Sequence, residues 1–190
     1  MNGGRAWAAL AALLATGAIG AWWLPASALA WQATLVATQP WRAWTAAFVH
    51  WSPLHLGANL AAAAVVGALG VVARLPDRAA LAWFAAWPLT QLTLLARPDL
   101  LRYGGLSGVL HAGVAVAAVW LLLDARGARR AVAAAIAVGL VAKIALEQPW
   151  GPALRWGGGW DFAVAPWAHL GGVLAGAVTA LIAWLARRRA

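Results

Sequence analysis

The sequence contains no cysteine and few charged residues. Of its 190 residues only 10% are Asp, Glu, Lys or Arg, whereas 64% are hydrophobic. The lack of Cys excludes disulfides and thiolate metal sites. So few charges exclude an ordinary soluble domain, in which about a quarter of the residues are charged. The composition therefore predicts a protein that lies in a lipid bilayer. The 15 tryptophans agree, because indole rings favour the headgroup region.

Acidic residues are especially scarce, with five Asp and Glu against 14 Lys and Arg, for a net charge of +9. A nucleic-acid-binding protein would gather such an excess into a stripe, a patch or an arm. Here the basic residues stand at the ends of apolar runs. We therefore expect that the basic residues face the lipid bilayer surface and that the protein does not bind nucleic acid.

Six apolar segments predict an all-α, polytopic membrane protein with a single domain over residues 1–190. The segments lie at about 7–27, 53–73, 80–96, 104–123, 131–147 and 166–186. A membrane span needs roughly 20 apolar residues, with about 17 as the lower limit, so the third and fifth segments are short but admissible. Ser52-Pro53 is a favourable helix start, with Ser as the N-cap and Pro in the first turn.

The distribution of arginines predicts the orientation. If the N-terminus is inside, nine arginines face that side: Arg5, Arg74, Arg78, Arg126, Arg129, Arg130, Arg187, Arg188 and Arg189. Four face the other side: Arg42, Arg97, Arg102 and Arg155. The excess inside predicts that both termini are cytoplasmic.

The N-terminal segment has a second interpretation. The small residues of Ala26-Ser-Ala-Leu-Ala30 resemble a signal-peptide cleavage site. However, the preceding apolar run of about 18 residues exceeds the usual signal core of 7–15 residues. We expect an uncleaved first helix, and a mature N-terminus near Trp31 would contradict this.

Polar side chains within apolar segments are candidates for function, because their burial in lipid is costly. Ser107 lies among glycines in Gly104–Gly108, and His169 lies near the start of the sixth segment, on the same side of the membrane. His169, Gly172 and Gly176 share one helix face, which can press against the fourth segment. That contact would place the imidazole where it can remove the hydroxyl proton of Ser107. Packing of small residues is the alternative explanation of both segments.

His55 and Asn59 are four residues apart on one face of the second segment, which begins on the same side of the membrane. Together with the backbone N–H of Ser107, they could donate hydrogen bonds to an oxyanion. Hydrogen bonds that only tie helices together are the alternative.

Two further expectations concern the acidic residues. Asp77 and Asp124 lie on the cytoplasmic side, while Asp99 and Asp161 lie in connecting segments. No acidic residue is thus well placed as a third catalytic member, and we expect a Ser-His dyad oriented by packing. Lys143 and Glu147, spaced i, i+4, form either a self-neutralising pair or a substrate contact.

These motifs resemble those of the rhomboid intramembrane proteases. Trp41-Arg42-Ala-Trp-Thr45, Phe48-Val-His50, His55 and Asn59 resemble their first loop and second helix. Gly105-Leu106-Ser107-Gly108 is similar to their Gly-x-Ser-Gly motif, and Ala168-His169-x-x-Gly172 to their sixth-helix motif. The matches run in order over residues 41–176, and they imply a six-helix bundle.

The resemblance also implies roles for individual residues. Ser107 would be the nucleophile, His169 the base, and His55, Asn59 and the Ser107 N–H the oxyanion donors. His50 would be structural, and Trp41 and Arg42 would belong to a scaffold loop in the outer leaflet. The active site would open to the periplasm from a bacterial inner membrane. No cofactor or metal is implied.

Two departures refine the resemblance. His111 stands where many rhomboids carry a Tyr that stacks on the catalytic imidazole, and Pro166-Trp167 replaces a frequent Gly. With His111, Lys143, Glu147 and its short length, the sequence resembles the rhombosortase branch of the family. That branch processes exported proteins that end in Gly-Gly, a hydrophobic helix and a basic tail, so such membrane-anchored proteins are the expected partners. Alternatively, His111 only substitutes for Tyr in packing.

Other functions stay open at this point. The chain could be a general rhomboid protease of other single-span substrates, or a non-catalytic rhomboid-like protein. A metal or haem site could use His50, His55, His111 and His169, although His50 and His55 are five apart and form a poor helical pair. A small transporter is conceivable, but the intramembrane charges trace no path for a coupling ion.

Overall fold

The computed structural model describes residues 3–187, and this part of the chain is helical and without β-strands. Its α-helices are α1 (Arg5–Ala21), α2 (Ala26–Leu29), α3 (Arg42–Thr45), α4 (Pro53–Val72), α5 (Asp77–Leu92), α6 (Ser107–Asp124), α7 (Gly127–Glu147) and α8 (Pro166–Ala186). Short 3-10 turns cover Ala33–Leu35, Ala46–Phe48 and Thr93–Ala96. Both ends of the predicted 1–190 domain, including Arg188 and Arg189 of the charge count, lie outside the described residues.

Within residues 3–187, four helical stretches are long and apolar enough to cross a membrane. They are Pro53–Val72, Asp77–Ala96, Ser107–Asp124 and Pro166–Ala186. The prediction of an all-helical, multi-pass membrane protein is therefore confirmed. Helices α1 and α7 coincide with the remaining two predicted segments, but α1 has only 17 residues and α7 is not among the four. The count of six spans therefore stays a prediction.

Local sequence sets where the helices begin and end near the site. Ser52 caps α4 because its Oγ accepts the His55 backbone N–H at 3.0 Å, and Pro53 is the first helical residue. Gly105 has φ +148°, so the chain is still irregular there and α6 begins at Ser107 rather than at residue 104. Helix α7 stops after Glu147, because Gln148 adopts a left-handed conformation.

The closest helix packing joins α6 and α8. A Cβ added at Gly108 would lie 2.8 Å from the carbonyl oxygen of Ala168, so a side chain there has no room. Gly172 and Gly176 face the backbone of Gly108 and Ala112 in the same way. The predicted contact between the glycine face of α8 and the fourth apolar segment is confirmed. Two backbones can approach this closely only where Cβ atoms are absent.

Two sets of tryptophans differ in burial and place. Trp7 and Trp83 are fully buried, and their indole N–H groups donate to the carbonyl oxygens of Val66 and Val109 on neighbouring helices, each at 2.8 Å. These two indoles connect neighbouring helices inside the bundle. The expectation that tryptophans lie in the headgroup region is therefore wrong for Trp7 and Trp83. The exposed tryptophans all lie near one end of the bundle, where α4, α6 and α8 begin: Trp22, Trp23, Trp41, Trp51, Trp150, Trp156 and Trp160. This second group fits the membrane interface.

The segment between α1 and α4 is held by buried Arg42. Its guanidinium donates to the carbonyl oxygens of Ala30 at 2.6 Å and Ser27 at 2.9 Å, and to Gln39 Oε1 at 2.6 Å. Thr45 Oγ1 adds a bond to the Leu29 carbonyl oxygen at 2.8 Å. The fork of an Arg side chain can satisfy several carbonyls at once, so this loop is anchored to α3.

We predict that Gly176→Ala destabilises the protein by about 1–3 kcal/mol, because the added methyl group overpacks the backbone contact with α6. Gly139→Ala in α7 is the matched control, since a Cβ there meets nothing within 4 Å. It should leave stability unchanged or slightly raised. Thermal unfolding of both proteins in one detergent checks this. Equal unfolding midpoints would contradict the close contact.

Candidate active site

A cavity of about 690 Å³ opens at the end of the bundle where α4, α6 and α8 begin and α7 ends. Seven of the polar side chains singled out in the sequence line it: His55, Asn59, Ser107, His111, Lys143, Glu147 and His169. They come from four helices, α4, α6, α7 and α8. The fold thus brings these polar groups together at one end of the bundle.

Ser107 and His169 are hydrogen-bonded across the α6–α8 contact. The Ser107 Oγ lies 2.9 Å from His169 Nε2. His169 is buried, with a side chain only 8% exposed, whereas Ser107 is partly open to the cavity. A hydroxyl bonded to an imidazole nitrogen is the arrangement that lets the imidazole take the proton as the oxygen attacks.

The other ring nitrogen of His169 contacts a carboxylate. His169 Nδ1 lies 2.7 Å from Glu147 Oε2, at the end of α7. The expectation that no acidic residue reaches this imidazole is therefore wrong. Because an ionised carboxylate only accepts, Nδ1 is the protonated nitrogen and Nε2 keeps the lone pair that faces Ser107. The error arose because Glu147 lies at the end of its helix, from which its side chain reaches α8.

Lys143 holds the second oxygen of the same carboxylate. Its Nζ donates to Glu147 Oε1, as the i, i+4 spacing predicts. Both carboxylate oxygens are thus engaged within the protein. The Lys143 side chain is 47% exposed and lines the cavity.

His111 stacks on His169. The two rings are 4.2 Å apart and inclined by 14°. His111 Nδ1 lies 2.7 Å from the Ser107 carbonyl oxygen, which is an acceptor, so this nitrogen carries the proton. His111 therefore stacks on His169 as a packing partner and also holds the first turn of α6.

His55 and Asn59 face Ser107 from α4. The Trp51 backbone N–H points to His55 Nδ1 at 3.4 Å, so the imidazole proton lies on Nε2. That Nε2 is directed at Gly105, where an added Cβ would come within 3.1 Å of it. Asn59 is buried, and its Nδ2 has no hydrogen-bond partner within residues 3–187. Both residues line the cavity on the side of α4.

The supporting residues predicted from the sequence lie around this cluster. His50 Nδ1 donates to the Phe48 carbonyl oxygen at 3.1 Å, and its ring meets His55 edge-on at 4.8 Å. Burial lowers the pKa of His50, which keeps this ring neutral. Arg42 anchors the first loop, and Trp41 is half exposed beside it.

The segment between α7 and α8 covers the cavity, which sequence patterns do not reveal. Phe162 stacks on His55 with the rings 3.9 Å apart and nearly parallel. Asp161 accepts a 2.6 Å bond from Ser52 Oγ, the cap of α4. Phe162 and Asp161 follow three glycines with positive φ, Gly157–Gly159, in a stretch without helical periodicity.

Tyr103 is a further residue whose place beside the site the sequence does not reveal. It is buried beside the cavity, and its hydroxyl donates to the Gly105 carbonyl oxygen at 3.1 Å. Burial raises the pKa of Tyr103 to about 12, so the phenol stays protonated and keeps donating. It fixes the irregular turn that precedes Ser107.

The four histidines form two ring pairs, His50 with His55 and His111 with His169. In the part of the chain that the structure describes, no three His, Asp or Glu side chains are grouped so that they could hold a metal ion.

Fold and site together define a helical, multi-pass membrane protein with a hydrogen-bonded Ser-His-Glu cluster in a cavity at one end of its helices. Residues 37–186, well over half of the chain, match the Rhomboid domain. The chain therefore belongs to the rhomboid family, whose members are intramembrane serine proteases that act on membrane proteins. A search of curated proteins found no match.

Proposed function

We propose that the chain is an intramembrane serine protease in which Ser107 is the nucleophile and His169 the base. The observation that carries this proposal is the 2.9 Å bond between Ser107 Oγ and His169 Nε2, in a cavity within apolar helices. A hydroxyl at its ordinary pKa is a weak nucleophile, and the adjacent lone pair of Nε2 activates it.

The reaction proceeds in two halves. Ser107 Oγ attacks the carbonyl carbon of a substrate peptide bond, and the hydroxyl proton moves to His169 Nε2. The tetrahedral intermediate then expels the amine, which takes the proton from His169 and leaves an ester on Ser107. A water molecule attacks this ester, gives its proton to His169, and releases the new carboxyl end while the serine hydroxyl is restored.

Asn59 and His55 hold the oxyanion. The Asn59 Nδ2 is buried without a partner among the described residues, so it costs no existing bond to donate into the cavity. The His55 Nε2–H faces Gly105, two residues before the nucleophile. The backbone N–H of Ser107, in the first turn of α6, has no partner within its helix. Donors placed in advance stabilise developing charge without reorganisation.

We propose that the substrates are membrane-anchored proteins of the rhombosortase type, with a C-terminal Gly-Gly, a hydrophobic helix and a basic tail. Stacking of His111 on His169 and the half-exposed Lys143 at the cavity support this branch. Gly-Gly suits the chemistry because a regular helix shields its carbonyls, and glycine opens it readily. A general protease of other single-span substrates is the second candidate.

We propose that the site faces the periplasm of a bacterial inner membrane, with both termini in the cytoplasm. The arginines support this orientation. Arg97, which binds the Pro149 and Gly151 carbonyl oxygens, lies at the site end of the bundle. Arg129 and Arg187 lie at the opposite end, where α4 and α6 finish, beside Ala73 and Asp124. The larger basic set, at that opposite end, is the one expected inside.

A non-catalytic rhomboid-like protein is a separate alternative. Loss of the serine or the histidine would favour it, and this chain has both, in hydrogen-bond contact. Reactivity of the hydroxyl distinguishes the two functions.

We predict that Ser107→Ala abolishes cleavage of a tethered substrate and labelling by a fluorophosphonate probe, because both require the activated hydroxyl. Asn59→Ala should keep the nucleophile but lower kcat by about 10²–10³-fold through loss of an oxyanion donor. Both are measured with purified protein in lipid vesicles, with folding checked by thermal unfolding. Full activity of Ser107→Ala would overturn the proposed function.

We predict that a Gly-Gly substrate is cleaved better than the same substrate with Ala-Ala. Two Gly-to-Ala changes stabilise a helix by about 2 kcal/mol in total. The expected drop in kcat/KM is therefore about 30-fold, since 1.4 kcal/mol corresponds to a factor of about ten. Equal rates for both substrates would favour the general protease.

The orientation can be tested with single cysteines, because the chain has none of its own. We expect a membrane-impermeant maleimide to label Trp156→Cys in intact spheroplasts, since this position is exposed at the site end. Arg126→Cys, in the turn between α6 and α7, should react only after the cells are permeabilised. The reverse labelling pattern would contradict the proposed orientation.

A further inference from the structure

Glu147 bridges two helices through its carboxylate. Oε2 lies 2.7 Å from His169 Nδ1 on α8, and Oε1 accepts from Lys143 within α7. A self-neutralising pair needs only the contact with Lys143, and a substrate contact needs a free oxygen. Here Oε2 makes an additional contact with His169, and neither oxygen is free. Its geometry is that of a group directed at the imidazole.

The bond from Glu147 to His169 joins α7 to α8. Few side chains of α7 are buried, namely those of Ala133, Leu140 and Ile144 among its 21 residues. A charged pair in an apolar helix is costly to keep, so its place beside the cavity calls for a functional reason. The ring nitrogen that Glu147 meets belongs to the proposed base.

The backbone that carries Glu147 is fixed from outside the helix. Arg155 donates to the Glu147 carbonyl oxygen at 2.7 Å. Arg97 donates to the carbonyl oxygens of Pro149 at 2.6 Å and Gly151 at 2.9 Å, and Asp99 holds Arg97 in turn. With Lys143 on its second oxygen, the carboxylate has few alternative positions. A charged group must be held in this way to orient a neighbour.

We propose that Glu147 is the positioning residue of His169, so that the protein works with a Ser107–His169–Glu147 triad in place of a dyad. This inference rests on the proposed protease function. The carboxylate accepts the Nδ1 proton, which leaves the Nε2 lone pair for Ser107. It also stabilises the imidazolium that forms when the serine proton is transferred. Stacked His111 supports the same ring from its face.

The test compares Glu147→Gln with the wild-type protein in lipid vesicles. We expect kcat to fall by at least about 100-fold with KM nearly unchanged. The fall should stay below the ~10⁴-fold loss seen when a buried triad carboxylate becomes an amide, because the Glu147 side chain is 24% exposed. Asp77→Asn is the matched control, since Asp77 is exposed in the first turn of α5, at the end of the bundle opposite the site.

The two kinetic constants separate the possible roles. A rise in KM at unchanged kcat would identify Glu147 as a substrate contact and overturn the inference. A Glu147→Gln protein that keeps at least half of the wild-type kcat would also overturn it. Ser107→Ala distinguishes this failure from failure of the protease function, because activity surviving in Ser107→Ala sinks both, whereas activity surviving only in Glu147→Gln sinks the triad alone.

A spectroscopic readout keeps the inference testable if the variants lose activity for structural reasons. In ¹⁵N-histidine-labelled protein, the His169 signals are assigned by their loss in His169→Gln. We expect Nδ1 to carry the proton in the wild-type protein and the tautomer ratio to change in Glu147→Ala. His169 signals that are identical in both proteins, or a wild-type ring protonated on Nε2, would overturn the proposal.

Discussion

The backbone contact between α6 and α8 is the constraint on which the site depends. Gly108, Gly172 and Gly176 let the two helices approach until backbone meets backbone, which side chains at these positions would prevent. Ser107 opens α6 one residue before Gly108, and His169 is the fourth residue of α8, three residues before Gly172. The serine–imidazole distance is therefore set by helix packing. Hydrophobic association alone could not bring the helices this close, because the surrounding lipid is as apolar as they are.

Each histidine of the cavity is assigned its chemistry by what its Nδ1 meets. A carboxylate at His169 and a carbonyl at His111 place the proton on Nδ1, while a backbone N–H at His55 leaves it on Nε2. In the proposed mechanism, one residue type thus serves as proton acceptor towards Ser107, as a stacking partner, and as a donor into the cavity. The differences lie in the neighbour of each Nδ1, which is the Glu147 side chain at His169 and the backbone at His111 and His55.

Periodicity made the helices, the α6–α8 face and the polar residues of the cavity predictable from the sequence. These features repeat every turn or lie at fixed offsets, as in the i, i+3, i+7 spacing from His169 to Gly176. The contact between Glu147 and His169 could not be predicted, because it depends on where α7 ends and on the path of the following loop. Phe162 and Asp161 escaped for the same reason, since they lie in a loop whose glycines carry no periodic signal.

The placement of the acidic residues connects the cost of burying a charge with the proposed mechanism. Asp99 and Asp124 are half exposed and pair with arginines at the two ends of the bundle, where water screens the charges. Glu147 lines the cavity, and both of its carboxylate oxygens are paired. One contacts the Lys143 ammonium and the other the His169 imidazole. A carboxylate can remain charged at this depth only if it is paired in this way. The lysine that neutralises the carboxylate binds Oε1 and so keeps Oε2 directed at His169. One pair of residues a single helical turn apart thus meets both the requirement for charge balance and the requirement for orientation.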